Sequence, residues 1–313
     1  MGGALFDRIA VADWSAKAAP ATGQDSIWIA TLDVVDRSGP GPLTVTNPPT
    51  RLAALDQIAT LAEPGRRTLL GVDFSLGFPA GTATAAGLEG TAWEVMWAHL
   101  AAEITDDERN RNNRFVVAER INRAIRAGAA ETGSAGVAQD AAAGPFWGCP
   151  PHQATAALTT TKPPRQPRWP DEWRVVEALL RAAGHRPFSA WQLLGAGAVG
   201  SQSLMGIAVL ERLRQSLGPR MAVWPFTTGF DLDNSLDPDV ELVVAEVWPS
   251  LRDVVVAPGK VKDAAQVEST ARWLAGLDSA GELSGLFRPA QTWDADGIIN
   301  EEGWVLGVTG ESG

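Results

Sequence analysis

Tyrosine is absent from this 313-residue sequence, cysteine occurs once and histidine three times. A lone Cys149 excludes an intrachain disulfide framework and fits a reducing compartment. His99, His152 and His185 have none of the spacing that zinc sites require. No apolar run comes near the roughly 20 residues needed to cross a bilayer. Met1 to Arg8 lacks the basic-then-apolar pattern of a secretory leader. Together these absences predict a soluble, cytoplasmic chain with no membrane partner. Positive charge is short as well: 26 Lys and Arg stand against 37 Asp and Glu, a formal net charge of −11. Tight non-specific binding to nucleic acid by phosphate neutralisation is thereby disfavoured. Carboxylates gathered around a metal ion become the more natural expectation.

What is present reads as one α/β domain over residues 1–313. Hydrophobic residues at 45% and charged residues at 20% are a folded, globular balance. The 13 tryptophans are expected mainly in the core. Strands are predicted at residues 8–13, 26–32 and 42–46, then a helix over 50–63 ended by Pro64-Gly65, then a strand over 68–73. Residues 88–188 are expected to be an insertion capping one edge of the sheet. Within it, helices are predicted over 88–103 and 108–130, a Gly/Pro-rich loop over 135–151 and an extended basic stretch over 162–170. Alternation then returns, with a helix over 199–217, strands at 221–224 and 241–247, and a helix over 263–277. The tail, 302–308, is expected as a short strand or a lid.

Three of the apolar strands close on an acid: Asp13 in Val11-Ala12-Asp13-Trp14-Ser15, Asp73 in Gly71-Val72-Asp73-Phe74-Ser75, and Glu246 in Ala245-Glu246-Val247-Trp248-Pro249. Ligands of open α/β sheets bind outside strand ends. Carboxylates converging there repel one another, and a divalent cation relieves that repulsion. Mg²⁺ or Mn²⁺ prefers oxygen ligands, and paired ions stabilise both oxygens of a phosphoryl transfer. The plainer explanation is that each Asp caps a turn or a helix start. The repeated Asp-aromatic-Ser signature at 13–15 and 73–75 weighs against it. Asp263 or Glu268, on the late helix, would supply a fourth acid. Ser15 and Ser75 would orient carboxylates or water, and Lys262 would neutralise charge on the transferred phosphate.

The order β-β-β-α-β-α-β-α, with acids on the first strand, fourth strand and last helix, resembles the ribonuclease H fold. Ala12-Asp13-Trp14-Ser15, the run from Gly71 to Pro79, Gly144-Pro145-Phe146-Trp147-Gly148, Val199-Gly200-Ser201-Gln202 and Ala245 to Pro249 are similar to segments of a prokaryotic family, domain of unknown function 429. Its members are often described as predicted nucleases with that fold. The likeness runs from Ile9 to Val308 and is most specific around Asp73 and Glu246. It implies a metal-dependent phosphodiester hydrolase. Asp13, Asp73 and Glu246 would then be metal ligands, and nucleic acid or a phosphorylated small molecule the partner. One departure is visible: many members carry a denser acidic motif on the last helix, where Lys262 to Glu268 offers only Asp263 and Glu268.

Competing patterns exist. Gly195-Ala196-Gly197-Ala198-Val199-Gly200 matches the G-x-G-x-x-G of dinucleotide sites, but the next strand runs into Pro225 rather than ending on a ribose-binding acid. A non-catalytic protein binding a nucleotide or cofactor precursor is the corresponding alternative. Asp13-Trp14-Ser15-Ala16-Lys17 and Asp73-Phe74-Ser75 faintly resemble the phosphate loops of actin-like phosphotransferases, with Lys17 as a phosphate contact, yet both lack the glycine that lets backbone approach a phosphate. Cys149 beside His152 is expected to be structural, because catalytic pairs meet in space and rarely in sequence. The basic runs at 109–114, 120–126 and 162–174, the last with Trp169 and Trp173, read first as solvated surface, with a groove for the phosphates of a single strand as the alternative. Arg120 is the residue in them assigned to substrate binding.

Overall fold

The computed structural model describes residues 4–35, 39–131, 143–195, 198–289 and 294–309. Its strands are β1 (Arg8–Asp13), β2 (Trp28–Val35), β3 (Gly39–Thr46), β4 (Thr68–Val72), β5 (Met221–Val223) and β6 (Leu242–Glu246). They form a mixed sheet in the order β3-β2-β1-β4-β6-β5. β1 pairs antiparallel with β2 and parallel with β4, and β6 lies parallel to both β4 and β5. Every residue of β4 and β6 is buried, which is why both read as unbroken apolar runs rather than alternating ones.

Helices cover both faces. They are α1 (Arg51–Ala59), α2 (Thr82–Ala85), α3 (Ala92–Glu103), α4 (Arg114–Glu131), α5 (Val175–Ala182), α6 (Gly200–Leu217), α7 (Leu232–Ser235) and α8 (Lys262–Ala280). Ala10, Ala12, Leu70, Val72 and Val244 point to the side occupied by α6 and α3. Ile9, Val11, Leu69, Val243, Ala245 and Val247 point to the side of α8, whose Val267, Ala271 and Leu274 meet them. This strict alternation along each strand has consequences at the strand ends. Helix limits follow local chemistry. Thr50 caps α1 by accepting from the Ala53 N–H at 3.2 Å. Gly281, at φ 74°, closes α8 in the left-handed conformation.

The helix expected from residue 108 begins at Arg114. The Asp107 carboxylate accepts from the N–H groups of Arg109 and Arg111, both at 2.9 Å, and holds a turn in place of a first helical turn. The insertion does more than cap one edge. Residues of α3 and α4 join the core on the α6 side, whereas Val176 and Leu180 of α5 belong to the α8 side. In the tail, Val305 bridges to Glu246 at the end of β6. Much of the loop expected at 135–151, and Ala196 and Gly197 of the glycine motif, lie outside the described residues.

Candidate functional site

A cleft of about 680 Å³ opens where the parallel strands end, lined by Asp13, Asp25, Asp73, Arg114, Arg174, Glu177, Glu246 and Asp263 among others. Strand register divides these acids into two groups. Ala12, Val72 and Glu246 are level across β1, β4 and β6, so their side chains share the α6 face. Asp13 and Asp73 are each one residue further on and turn to the α8 face.

Asp13 and Asp73 are hydrogen-bonded to each other through their carboxyls. Both keep part of their surface open to the cleft. Burial, and then the charge of Asp73, raises the Asp13 pKa well above the usual carboxylate range. Burial pushes Asp73 up to about 6, against the opposing effect of the hydrogen bonds it accepts from Asp13 and from the Trp14 N–H, the latter at 2.8 Å. Two acids so placed hold a proton between them at mildly acidic pH, because both cannot ionise cheaply side by side. Asp263, in the first turn of α8, adds its field to both. It accepts from the Asp25 N–H at 2.8 Å, which ties the loop after β1 to α8.

The local chain is built to hold this pair. Gln202 of α6 donates to the Trp14 carbonyl at 2.6 Å, anchoring the residue after Asp13. The tip of the Phe74 ring, after Asp73, abuts Gly206, where a Cβ would stand 2.2 Å from a ring carbon. Only glycine admits that contact.

Glu246 has a different fate. Its two oxygens accept from Arg174 Nη2 at 2.6 Å and Nη1 at 2.7 Å, and Oε2 also accepts from the Leu76 N–H at 3.1 Å. Arg174 further donates to Glu177 at 3.0 Å, to Ser75 Oγ at 3.1 Å and to the Glu302 carbonyl at 2.9 Å. Burial raises the Glu177 pKa, opposed by the Arg174 charge. Glu246, expected as a metal ligand, lines the same cleft as Asp13 and Asp73 but sits one residue out of register with them, and its carboxylate is already held by the resident counter-charge of Arg174. Ser75 belongs to the same buried network and is no longer free to orient water.

The remaining sequence candidates separate cleanly. Glu268 is paired with Lys260 and Arg272, the first of which lowers its pKa, so Asp263 is the α8 acid near the carboxyl pair. Lys262 is exposed and does not line the cleft. Arg120, expected as a substrate contact, stands on α4 outside the cleft with its guanidinium on Glu103 at 2.5 Å. Ser15 and Lys17 do line the cleft. Ser15 Oγ donates to the Asp25 carbonyl at 3.1 Å and Lys17 Nζ to the Gln24 carbonyl at 3.1 Å. Among the described residues no three Asp, Glu, His or Cys side chains are already gathered as a metal cage. Cys149 is buried and its thiol is pushed up by that burial, as an inert cysteine should be.

Sequence reasoning overlooked Glu177 and Asp25, and read Arg114 and Arg174 as solvated surface although both are buried. The advance signals near them were the basic runs that end at Arg114 and Arg174 and the Ser201-Gln202 segment, which touches both Arg114 and Trp14. The glycine motif has no strand before it among the described residues; Gln192 makes only an isolated bridge to Trp147. No family model, curated protein or solved structure matches the chain.

Proposed function

We propose that the protein is a metal-dependent phosphodiester hydrolase of the ribonuclease-H-like kind, related to domain of unknown function 429, with Asp13 and Asp73 as the residues that hold the ion. The observation that carries this reading is the carboxyl pair itself: two acids from the ends of adjacent parallel strands, in contact, inside a cleft, with no cationic side chain paired to either among the described residues. Such a pair has a standing electrostatic cost that a divalent cation would relieve by replacing the shared proton. The donors fit the group. Mg²⁺ and Mn²⁺ take hard oxygen ligands, and Mg²⁺ is commonly bound by one or two carboxylates, with water and substrate phosphate completing the shell. A ready-made cage of three acids is not required. The antiparallel β1–β2–β3 meander continued by parallel β4 and β6 also supports the fold assignment.

When bound, the ion would supply Lewis acidity and a more acidic water. The chain's own groups do the rest. Asp13 and Asp73 bind it, and the Trp14 N–H fixes Asp73. Asp263 contributes negative charge from α8 and positions the Asp25 loop. Arg174 keeps Glu246 and Ser75 occupied, so that the end of β6 stays rigid beside the site.

A second reading has one observation in its favour. Because burial raises the pKa of both Asp13 and Asp73, the pair would serve as a general acid and base without a metal. Assays on single- and double-stranded DNA, RNA and hybrid, with and without Mn²⁺ and with Asp13→Ala as control, test both. Mn²⁺-dependent cleavage lost in Asp13→Ala supports the proposal. Cleavage indifferent to chelator supports the metal-free dyad. No cleavage, together with no thermal response to Mn²⁺, sinks the hydrolase.

A further inference from the structure

Arg114 opens α4 on the wall of the same cleft and is only 8% exposed. Its Nε donates to Ser201 Oγ at 2.9 Å and its Nη1 to Asn112 Oδ1 at 2.8 Å, both neutral acceptors. Its Nη2 makes no hydrogen bond among the described residues, yet it is not sealed away from solvent. The one acid whose charge it feels, Asp106, is gripped by Arg51 through two bonds of 2.6 Å. Two guanidinium groups thus share one carboxylate, and the surplus positive charge is buried at the edge of the cleft. Burial, with the Arg51 charge second, brings the Arg114 pKa down to about 10, so it remains a cation at neutral pH. The guanidinium also lies over the Phe115 ring, 4.3 Å from its centroid; that contact offsets only part of the cost of burying the charge, and an anion in the cleft would supply the missing counter-charge.

A second, separate feature meets it there. Ser201 lies in the first turn of α6, an 18-residue helix with no side-chain cap and no acid in that turn. The Gly200 N–H donates to the Gln192 carbonyl at 3.0 Å, but the following N–H groups of the turn and the positive end of the helix dipole favour an anion, and Val199, Ser201 and Gln202 line the cleft.

From these we infer that Arg114 and the first turn of α6 form a phosphate-binding subsite in the cleft of the Asp13–Asp73 pair. The guanidinium offers the free Nη2 arm of its planar fork, and the helix offers backbone donors. That the phosphate belongs to the substrate, adjoining the group that reacts, rests on the hydrolase reading; the binding of the anion does not. A nucleic-acid strand and a nucleoside polyphosphate share this chemistry.

The test is anion binding without metal. With chelator present, inorganic phosphate and pyrophosphate are titrated against wild type, Arg114→Gln and Arg114→Lys, with chloride at equal ionic strength as reference. Arg120→Gln serves as a control outside the cleft. Phosphate should raise the Tm of wild type and of the control by several degrees. Affinity should fall about tenfold or more in Arg114→Gln, as expected when one charged hydrogen-bonding partner is lost. Arg114→Lys, which keeps the charge but not the fork, should bind less tightly than wild type and gives the answer if Arg114→Gln does not fold. No phosphate response in wild type, or undiminished affinity in the variants, overturns the subsite. A short thymidine oligonucleotide and ATP, titrated the same way, distinguish strand from nucleotide as the source. Failure of the hydrolase reading registers elsewhere, as loss of the Mn²⁺ response with phosphate binding intact.

Discussion

Glu246 and Asp73 stand on neighbouring parallel strands, one residue out of register, and the two regions around them treat carboxylates in opposite ways. At the end of β6, Glu246 shares the buried Arg174 with Glu177 of α5, and all five guanidinium donors are used. On the α8 face, Asp13 and Asp73 have each other and the negative field of Asp263. Acids neutralised from within hold structure together. Acids left facing each other in a cleft store repulsion that a ligand can relieve.

The comparison breaks most visibly at Arg174. Arg174→Met leaves Glu246 and Glu177 buried without a cation, and such losses cost about 3–5 kcal/mol. Urea unfolding should show that drop, with the midpoint moving and little change in slope. If the protein is as stable as wild type, the network is not structural.

Next in size is the response to metal. At 100 times its dissociation constant, Mn²⁺ should stabilise wild type by about 2.7 kcal/mol, read as a rise in Tm. Asp73→Asn should abolish most of it, while Glu246→Gln, in the other region, should retain it in the folded fraction. A Glu246→Gln protein that folds but ignores Mn²⁺ would return Glu246 to the metal site.

An effect of similar order, at most about 3 kcal/mol, is expected from pH in metal-free buffer. The folded-state pKa of Asp73 is raised, to about 6, so between the unfolded value near 4 and that pKa the native state binds more protons than the unfolded one. The pair therefore lowers stability as pH rises through this window, with its full penalty above it. Asp73→Asn removes the penalty: it should raise Tm at pH 8, and the gain should vanish toward pH 4. A gain that grows on acidification has the wrong sign.

Smallest is Glu268→Gln, which removes two exposed surface pairs and should change stability by less than about 1 kcal/mol and leave the Mn²⁺ response unaltered. Loss of that response would place Glu268, rather than Asp263, near the ion.

Much of this architecture was legible in advance because it is written in apolar periodicity. β1, β4 and β6, the long α6 and the late α8 all fall close to their expected ranges. Asp13 and Asp73 stood out because the same Asp-aromatic-Ser triplet follows both strands, and in the fold the aromatic next to Asp73 packs on Gly206 while its N-terminal neighbour continues the strand. Glu246 carried the same signature, a strand ending on an acid, and was misplaced for a reason no spacing rule contains. Arg114 and Arg120 sat in similar basic runs, and one is buried while the other is exposed on the same helix.

The amino-acid order alone therefore determined the sheet's elements and the acids at their ends, since alternation and turn residues act over a few positions along the chain. Which acids meet, and which acquire an arginine, was decided by pairing between strands more than 50 residues apart and by an insertion that returns Arg174 to the end of β6. Side chains alternate with a period of two across a sheet, so one residue of register moves a carboxylate from one face to the other.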